Sequence, residues 1–101
     1  MRCLLKVLIP VDAGNAAISD GSLPKTIESI LADLKPEAAY FGERDGKRGG
    51  ILIVDVGKPS DVPRIAEPWF LNFNADVKFR VVMTPQDLAE SNLEALGKKW
   101  G

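Results

Sequence analysis

Lys78 and Arg80 lie two residues apart in the stretch ADVKFRVVM, Ala75 to Met83, where most other side chains are apolar. Side chains two residues apart in a β-strand point to the same face of the sheet. The spacing therefore places two cations on one sheet face. Such a pair either joins a network of ion pairs or holds an anionic or carbonyl group of a small ligand.

Several other kinds of chemistry are excluded by composition, because the sequence contains no histidine and one cysteine, Cys3. Ser-His-Asp and Cys-His catalysis, histidine-ligated haem and the common zinc sites need residues that are absent. We therefore expect no metal site and no cofactor. The stretch GERDGKRGG lacks the spacing of a phosphate-binding loop, and its Asp45-Gly46 pair is typical of a two-residue hairpin turn.

Length and charge predict one small globular domain over residues 1–101, with 46% hydrophobic and 27% charged residues. Thirteen basic and fourteen acidic residues give a formal net charge of -1, which disfavours nucleic acid and anionic membranes as partners. The apolar start MRCLLKVLIPV is short and interrupted by Lys6, so it predicts a strand and not a signal or membrane segment. With a single cysteine, these features indicate a cytoplasmic protein.

The elements that position the cations follow from periodicity, which predicts four strands, at residues 2–10, 37–44, 47–56 and 75–83. Helices are predicted at 23–34, from near Ser60 to a kink or end at Pro68, and after the capping-box-like stretch Thr84–Asp87. The segment from Val11 to Ser22 is typical of a long loop or a short helical turn.

This order, β-α-β-β-α-β-α, predicts an α+β fold: a ferredoxin-like arrangement with right-handed crossovers, a four-stranded antiparallel sheet and an added C-terminal helix. Helices would cover one sheet face, and alternation assigns to that face Cys3, Leu5, Val7, Ile9, Ala39, Phe41, Leu52, Val54, Val56, Val77, Phe79, Val81 and Met83. The open face would carry the polar residues Lys6, Tyr40, Asp55, Lys78 and Arg80 among Leu4, Leu8, Ile51, Ile53 and Val82.

An open face with so many apolar side chains predicts a homodimer in which two copies cover one another. Lys6, Asp55 and Arg80 would then form a partly buried cluster between the sheets. The cluster is either an ion network that fixes the dimer register or a pocket whose excess positive charge binds a small ligand. Arg80 lies nearer the middle of its strand than Lys78 and can reach Asp55 or a ligand, so we expect Arg80 to matter more.

Two residues outside the strands are further candidates for lining a ligand pocket. Trp69 lies at the predicted helix break in AEPWFLNFN, where it either walls a pocket or fills the core. Asn15 lies in the segment after the first strand, where its side chain either caps a turn or covers the mouth of a pocket.

Four segments, GNAAISDGSL, KPEAAYF, AEPWFLNFNADV and VMTPQDLAES, together resemble small uncharacterised bacterial proteins of the dimeric α+β barrel superfamily, over nearly the whole chain. The resemblance implies two ferredoxin-like sheets that close into one barrel across a dimer. Better-known members of the superfamily include cofactor-free monooxygenases, muconolactone-type isomerases and haem-handling enzymes. The absence of histidine argues against haem chemistry here.

Three functions follow as hypotheses. The first is a homodimeric barrel that binds a small organic molecule, anionic or carbonyl, through Lys6, Asp55 and Arg80, with Tyr40 on the pocket wall. The second is a cofactor-free isomerase or monooxygenase-type enzyme that uses Lys6 or Asp55 for proton transfer. The third is a structural or regulatory dimer with no ligand.

Overall fold

The computed structural model describes residues 1–101 as one sheet with five helices. The elements in chain order are β1 (Arg2–Ile9), α1 (Val11–Ser19), α2 (Ser22–Leu34), β2 (Ala38–Arg44), β3 (Lys47–Asp55), α3 (Asp61–Phe73), β4 (Asp76–Val81), α4 (Pro85–Glu90) and α5 (Leu93–Trp100). The strands pair antiparallel in the order β2-β3-β1-β4. The predicted α+β class and four-stranded antiparallel sheet are confirmed, and the architecture is ferredoxin-like. No helix has the length and apolar character that crossing a membrane requires.

The β2–β3 hairpin sets the register of half the sheet. Its two turn residues, Asp45 and Gly46, have φ angles of 53° and 75°. Two consecutive positive φ angles match the right-handed twist of the strands and favour an Asp-Gly pair. Tyr40 therefore pairs with Ile51, as the sequence predicted.

The core lies between one face of the sheet and the helices. Every second residue of β1, from Cys3 to Ile9, is buried, as the period of a strand requires. The largest fully buried side chains are Trp69, Phe73, Leu5, Leu52 and Ile65. The predicted parity is therefore confirmed for β1 and for Leu52, Val54 and Val56 of the β3 segment.

The ends of the sheet are less covered than the sequence predicted. Val81 and Met83 are 59% and 61% exposed, although alternation assigned both to the helix-facing side. Phe41 at the other edge is also exposed, at 49%. Burial at these three positions was wrongly predicted, because alternation fixes which face a side chain takes but not how far the helices extend over it.

Residues 11–19 form a nine-residue helix, so the prediction of a loop or short turn there is wrong. Gly14 and Ala17 are its buried positions, and such small side chains let a helix lie close to its neighbours. Gly21, with a φ of 78°, then separates α1 from α2. The glycines that suggested a loop thus serve close packing and helix termination.

Of the kink or end predicted at Pro68, the end does not occur, because helix α3 continues to Phe73. Proline inside a helix costs about 3 kcal/mol because it removes one backbone hydrogen bond and crowds the preceding turn. Each large apolar side chain buried on the same helix contributes about 1.5–3 kcal/mol in the other direction. Ile65, Trp69 and Phe73, on both sides of Pro68, are all buried, so packing outweighs the proline.

The chain beyond β4 forms what we call the C-terminal arm, residues 84–101. The predicted capping box is confirmed, since the Asp87 N–H donates to Thr84 Oγ1 at 3.1 Å and the Thr84 N–H donates to Asp87 Oδ2 at 3.0 Å. The single predicted helix is instead two, divided at Asn92 with a φ of 57°. No residue of α4 or α5 is buried. The radius of gyration, 16.9 Å, exceeds the value of about 13 Å for a compact domain of this length.

Candidate functional site

The strand register arranges the open face of the sheet in rows of side chains that run across the strands. One row contains Tyr40, Ile51, Lys6 and Lys78, from β2 to β4. The next contains Ala38, Ile53, Leu4 and Arg80. The row on the other side contains Gly42, Gly49, Leu8 and Asp76.

Two glycines opposite each other leave a gap in this layer of side chains, which we call the glycine trough. Gly42 pairs with Gly49, and a β-carbon placed at Gly42 would meet only open space. The trough has a volume of about 360 Å³, and the side chains around it include Lys6, Leu8, Tyr40, Arg44, Ile51, Asp76 and Lys78. Lys6 and Tyr40 of the predicted site are therefore brought together here.

The trough is lined by three cations, Lys6, Arg44 and Lys78, and by three carboxylates, Glu43, Asp45 and Asp76. Lys6 is half-buried, and its pKa is lowered first by desolvation and then by repulsion from Arg44, Arg80 and Lys78. Asp45 acts in the opposite direction on this pKa but is the weakest of these causes. The nearest ion pair joins Lys78 to Asp76 at 3.6 Å between exposed side chains. Lys6, Arg44 and Arg80 have no carboxylate partner within ion-pair distance, so the open face carries excess positive charge.

Asp55 lies at a different position from the one expected for the charge cluster. Its Oδ1 accepts a hydrogen bond from the Met1 ammonium at 2.8 Å, and that contact, with the ammonium charge, lowers the Asp55 pKa. Asp55 pairs across the sheet with Arg2 and not with Lys6. No ion pair joins Lys6, Asp55 and Arg80, because register places Asp55 at the end of the sheet and Lys6 two rows away.

Asn15 and Trp69, the other two predicted residues, lie on the opposite side of the sheet. Both line a second cavity of about 630 Å³, which we call the helix-side cavity, between the β2–β3 hairpin and the helices. Its wall is largely apolar and includes Val7, Ile9, Leu23, Ile27 and Phe41. The six residues predicted as one site are thus divided: Lys6 and Tyr40 line the trough, and Asn15 and Trp69 line the helix-side cavity. Arg80 lies in the row next to that of Lys6 and lines neither cavity, and Asp55 lies at the end of the sheet.

Two arginines that sequence reasoning missed complete these sites. Arg44 ends β2 beside the trough, and Arg48 lines the helix-side cavity. Strand alternation could have identified Arg48 as a helix-facing residue. Arg48 lies an even number of residues from the buried Leu52 and therefore shares the face of Leu52. No group of three acidic or cysteine side chains comes close enough together to hold a metal ion.

No protein-family model matches this sequence, and no curated protein is significantly similar to it. Among solved structures, the chain is similar to the de novo designed protein Ferredog-Diesel at 10% sequence identity. The similarity covers 80% of this chain and 85% of that protein, with a TM-score of 0.47. A similarity of this degree does not bear on function.

Proposed function

We propose that the protein is a homodimeric α+β barrel that binds a small organic anion between the open faces of two sheets. The observation that supports this most directly is the group of cations on the open face, of which Lys6, Arg44 and Lys78 line the glycine trough and Arg80 lies in the row next to that of Lys6. Three carboxylates also line the trough, but only Asp76 forms an ion pair with a member of this group, Lys78. A carboxylate bound among them would relieve the repulsion that lowers the Lys6 pKa.

The trough has the size and mixed lining of a small-molecule site. Its volume of about 360 Å³ lies near the lower end of the range for ligand pockets. Ile51 and Leu8 offer apolar contact, and the Tyr40 hydroxyl can donate to or accept from a polar group of the ligand. The best fit is a small carboxylic acid with an apolar part.

A second copy would provide the cover that such a site needs. In open water, two unit charges about 4 Å apart attract by about 1 kcal/mol, compared with about 4 kcal/mol near a protein surface. Leu4, Leu8, Ile53 and Val82 are half-buried on a face that no helix of this chain covers. Packing this face against its own copy would bury these side chains and exclude water from the cations.

The C-terminal arm independently favours a second copy. Leu93, Leu96 and Trp100 lie three and four residues apart on α5 and form one apolar stripe, and all three are exposed. Helices of six and eight residues are marginal in water without packing. A surface of the partner would bury the stripe and stabilise both helices.

One observation favours catalysis as the second candidate function. The lowered pKa of Lys6 makes its neutral amine more accessible as a base, as a cofactor-free isomerase or monooxygenase-type enzyme would require. Asp55 is the weaker candidate for proton transfer, because its pKa is lowered and the Met1 ammonium occupies one carboxylate oxygen. A purely structural or regulatory dimer would require the trough to be filled by the partner.

Sedimentation combined with calorimetric titration of benzoate and succinate tests the proposal. We expect a dimer at micromolar concentration that binds at least one of the two acids. Lys6→Gln should abolish that binding, whereas Lys25→Gln on the exposed surface of α2 should leave it unchanged. A stable monomer would contradict the barrel, and a dimer that binds neither acid would favour the structural alternative.

A further inference from the structure

The helix-side cavity has the features of a second binding site. It lies mostly on the helix-facing side of the sheet, and it shares part of its lining with the trough at the β2–β3 hairpin. Seven of its fifteen lining residues are hydrophobic, and its volume, about 630 Å³, lies in the middle of the range for small-molecule pockets. Three charged residues line it, of which Glu43 and Lys47 are exposed and Arg48 is half-buried.

Arg48 is held in place by helix α1. Its Nη2 donates a hydrogen bond to Asn15 Oδ1 at 3.1 Å. A β-carbon at Gly14 would lie 2.6 Å from Arg48 Nη1, so the guanidinium crosses the helix where there is no side chain. Gly14 and Asn15 therefore fix the position of the guanidinium at the cavity.

The Arg48 guanidinium has no carboxylate partner. Glu43 faces it across the β2–β3 pair, but Glu43 Oε2 accepts the Gly46 backbone N–H at 2.8 Å in the turn. No carboxylate lies within ion-pair distance of Arg48, whereas Arg2 and Arg64 both have one. A positioned, half-buried arginine beside an apolar cavity is suited to a ligand carboxylate, which its fork of N–H groups can bind with two hydrogen bonds.

Trp69 offers a second unpaired donor on the same cavity. Its side chain is fully buried, and its indole Nε1–H has no hydrogen-bond partner. Buried tryptophan N–H groups usually have a partner, and leaving one unpaired is destabilising. It is the only buried side-chain nitrogen or oxygen in the chain without a partner, and its residue lines this cavity. The N–H itself is not exposed to the cavity in the free protein, so a ligand oxygen can reach it only after the side chains that cover it have moved.

We propose that the helix-side cavity binds an apolar carboxylic acid that carries a second oxygen acceptor. The carboxylate binds Arg48, and the apolar body packs among Leu23, Ile27 and Phe41. The side chains that cover Trp69 move as the ligand enters, and the second oxygen then accepts the Trp69 N–H. The site uses no residue of the cation group on the open face. The proposed site therefore does not depend on the proposed binding of an anion between the two sheets.

Nuclear magnetic resonance of the full chain with two oxo acids, 4-oxo-4-phenylbutanoate and 4-oxooctanoate, tests the proposal. A Trp100→Phe background leaves Trp69 as the single indole, because the sequence has two tryptophans. We expect at least one acid to bind and to move the Trp69 N–H resonance downfield, as a new hydrogen bond does. 4-Phenylbutanoate, which lacks the oxo group, should leave that resonance almost unmoved.

Three variants locate the carboxylate. Arg48→Gln should weaken binding about tenfold or more, the effect of losing a charge-assisted pair. Gly14→Ala should also weaken it with Arg48 still present, because the added methyl group displaces the guanidinium. Arg64→Gln, on the exposed surface of α3 and outside both cavities, should bind as the parent does. Failure of both acids to bind, an unmoved indole resonance, or equal losses in the Arg64 and Arg48 variants would overturn the proposal.

Discussion

The two faces of the sheet are built from the same strands but are stabilised differently. On the helix-facing side, Leu5 and Leu52 are completely buried within the chain. On the open side, their neighbours Lys6 and Ile51 form a row with Tyr40, which is 73% exposed. Alternate residues of one strand therefore contribute to the core and to the candidate site. A register shift of one residue would exchange the environments of these two sets of side chains.

This contrast shows where stability comes from on each face. The helix-facing side depends on contacts within one chain, so its contribution to folding does not depend on protein concentration. The open side has apolar side chains and cations that nothing in the chain covers, so its proposed stabilisation comes from a second copy and a ligand. Five experiments test whether the two faces differ in this way.

The largest effect is expected at neighbouring residues of β3 that point to opposite faces. Leu52→Ala should lower the free energy of unfolding by about 2–5 kcal/mol at every protein concentration, because it leaves a cavity in the core. Ile51→Ala, at a position 42% exposed, should cost less, and its cost should grow with protein concentration if dimers form. Urea unfolding at several concentrations measures both. Similar, concentration-independent losses would remove the distinction between the faces.

Ile53→Asp addresses the proposed contact between open faces. A carboxylate in a largely dry interface without a partner is costly, so the dimer dissociation constant should rise by about a hundredfold or more. Val62→Asp, on the outer surface of α3, is the matched control and should leave association unchanged. Analytical ultracentrifugation measures the dimer dissociation constant of each variant. If the Ile53 variant dimerises normally, the copies do not meet through this face.

The C-terminal arm extends the comparison to a region with no core of its own. Replacing Leu93, Leu96 and Trp100 together by serine should weaken the dimer about tenfold or more, because it removes the apolar stripe of α5. Serine at Lys98 and Lys99 of the same helix provides the control. Sedimentation measures how strongly each of the two variants dimerises. Equal affinities in the two variants would mean that the arm does not contact the partner.

The lowered pKa of Lys6 predicts how anion binding depends on pH. Because the charged form is disfavoured, Lys6 loses its proton at a lower pH than an ordinary lysine. Affinity for a bound carboxylate should therefore be full below this pKa and fall as the pH rises through it. Lys6→Arg, which keeps its charge, should remove the alkaline fall. Calorimetric titrations at successive pH values would show whether wild type and variant differ.

The smallest effects are expected from Arg80 and Lys78, the two cations of β4. Arg80→Ala leaves no carboxylate unpaired, because Asp55 pairs with the Met1 ammonium. Both side chains are exposed, so alanine at either position should change stability by about 0.5 kcal/mol or less. Arg80→Ala should still weaken anion binding more than Lys78→Ala, since Asp76 already neutralises Lys78 in part. The reverse order would contradict the assigned role of Arg80.

Local pattern was sufficient to predict most elements of the fold. The alternation of β1, the Asp-Gly turn and the Thr84–Asp87 cap each depend on a few neighbouring residues, and all three are confirmed. The departures arose where distant contacts outweighed local preference. Gly14 lies inside helix α1, where the Arg48 side chain leaves no room for a β-carbon. Helix α3 does not end at Pro68, since apolar residues on both sides of it are buried.

The face on which each strand residue lies follows from the sequence alone, because side-chain direction in a strand has a period of two. This period predicts that Lys6, Tyr40, Lys78 and Arg80 share the open face, as the strand pairing shows. Which of these residues are neighbours depends on the register between strands that are far apart in sequence. That register places Lys6 beside Lys78 and Asp55 opposite Arg2. The packing of α1 and α3 placed Asn15 and Trp69 behind the sheet, since such contacts depend on the whole chain.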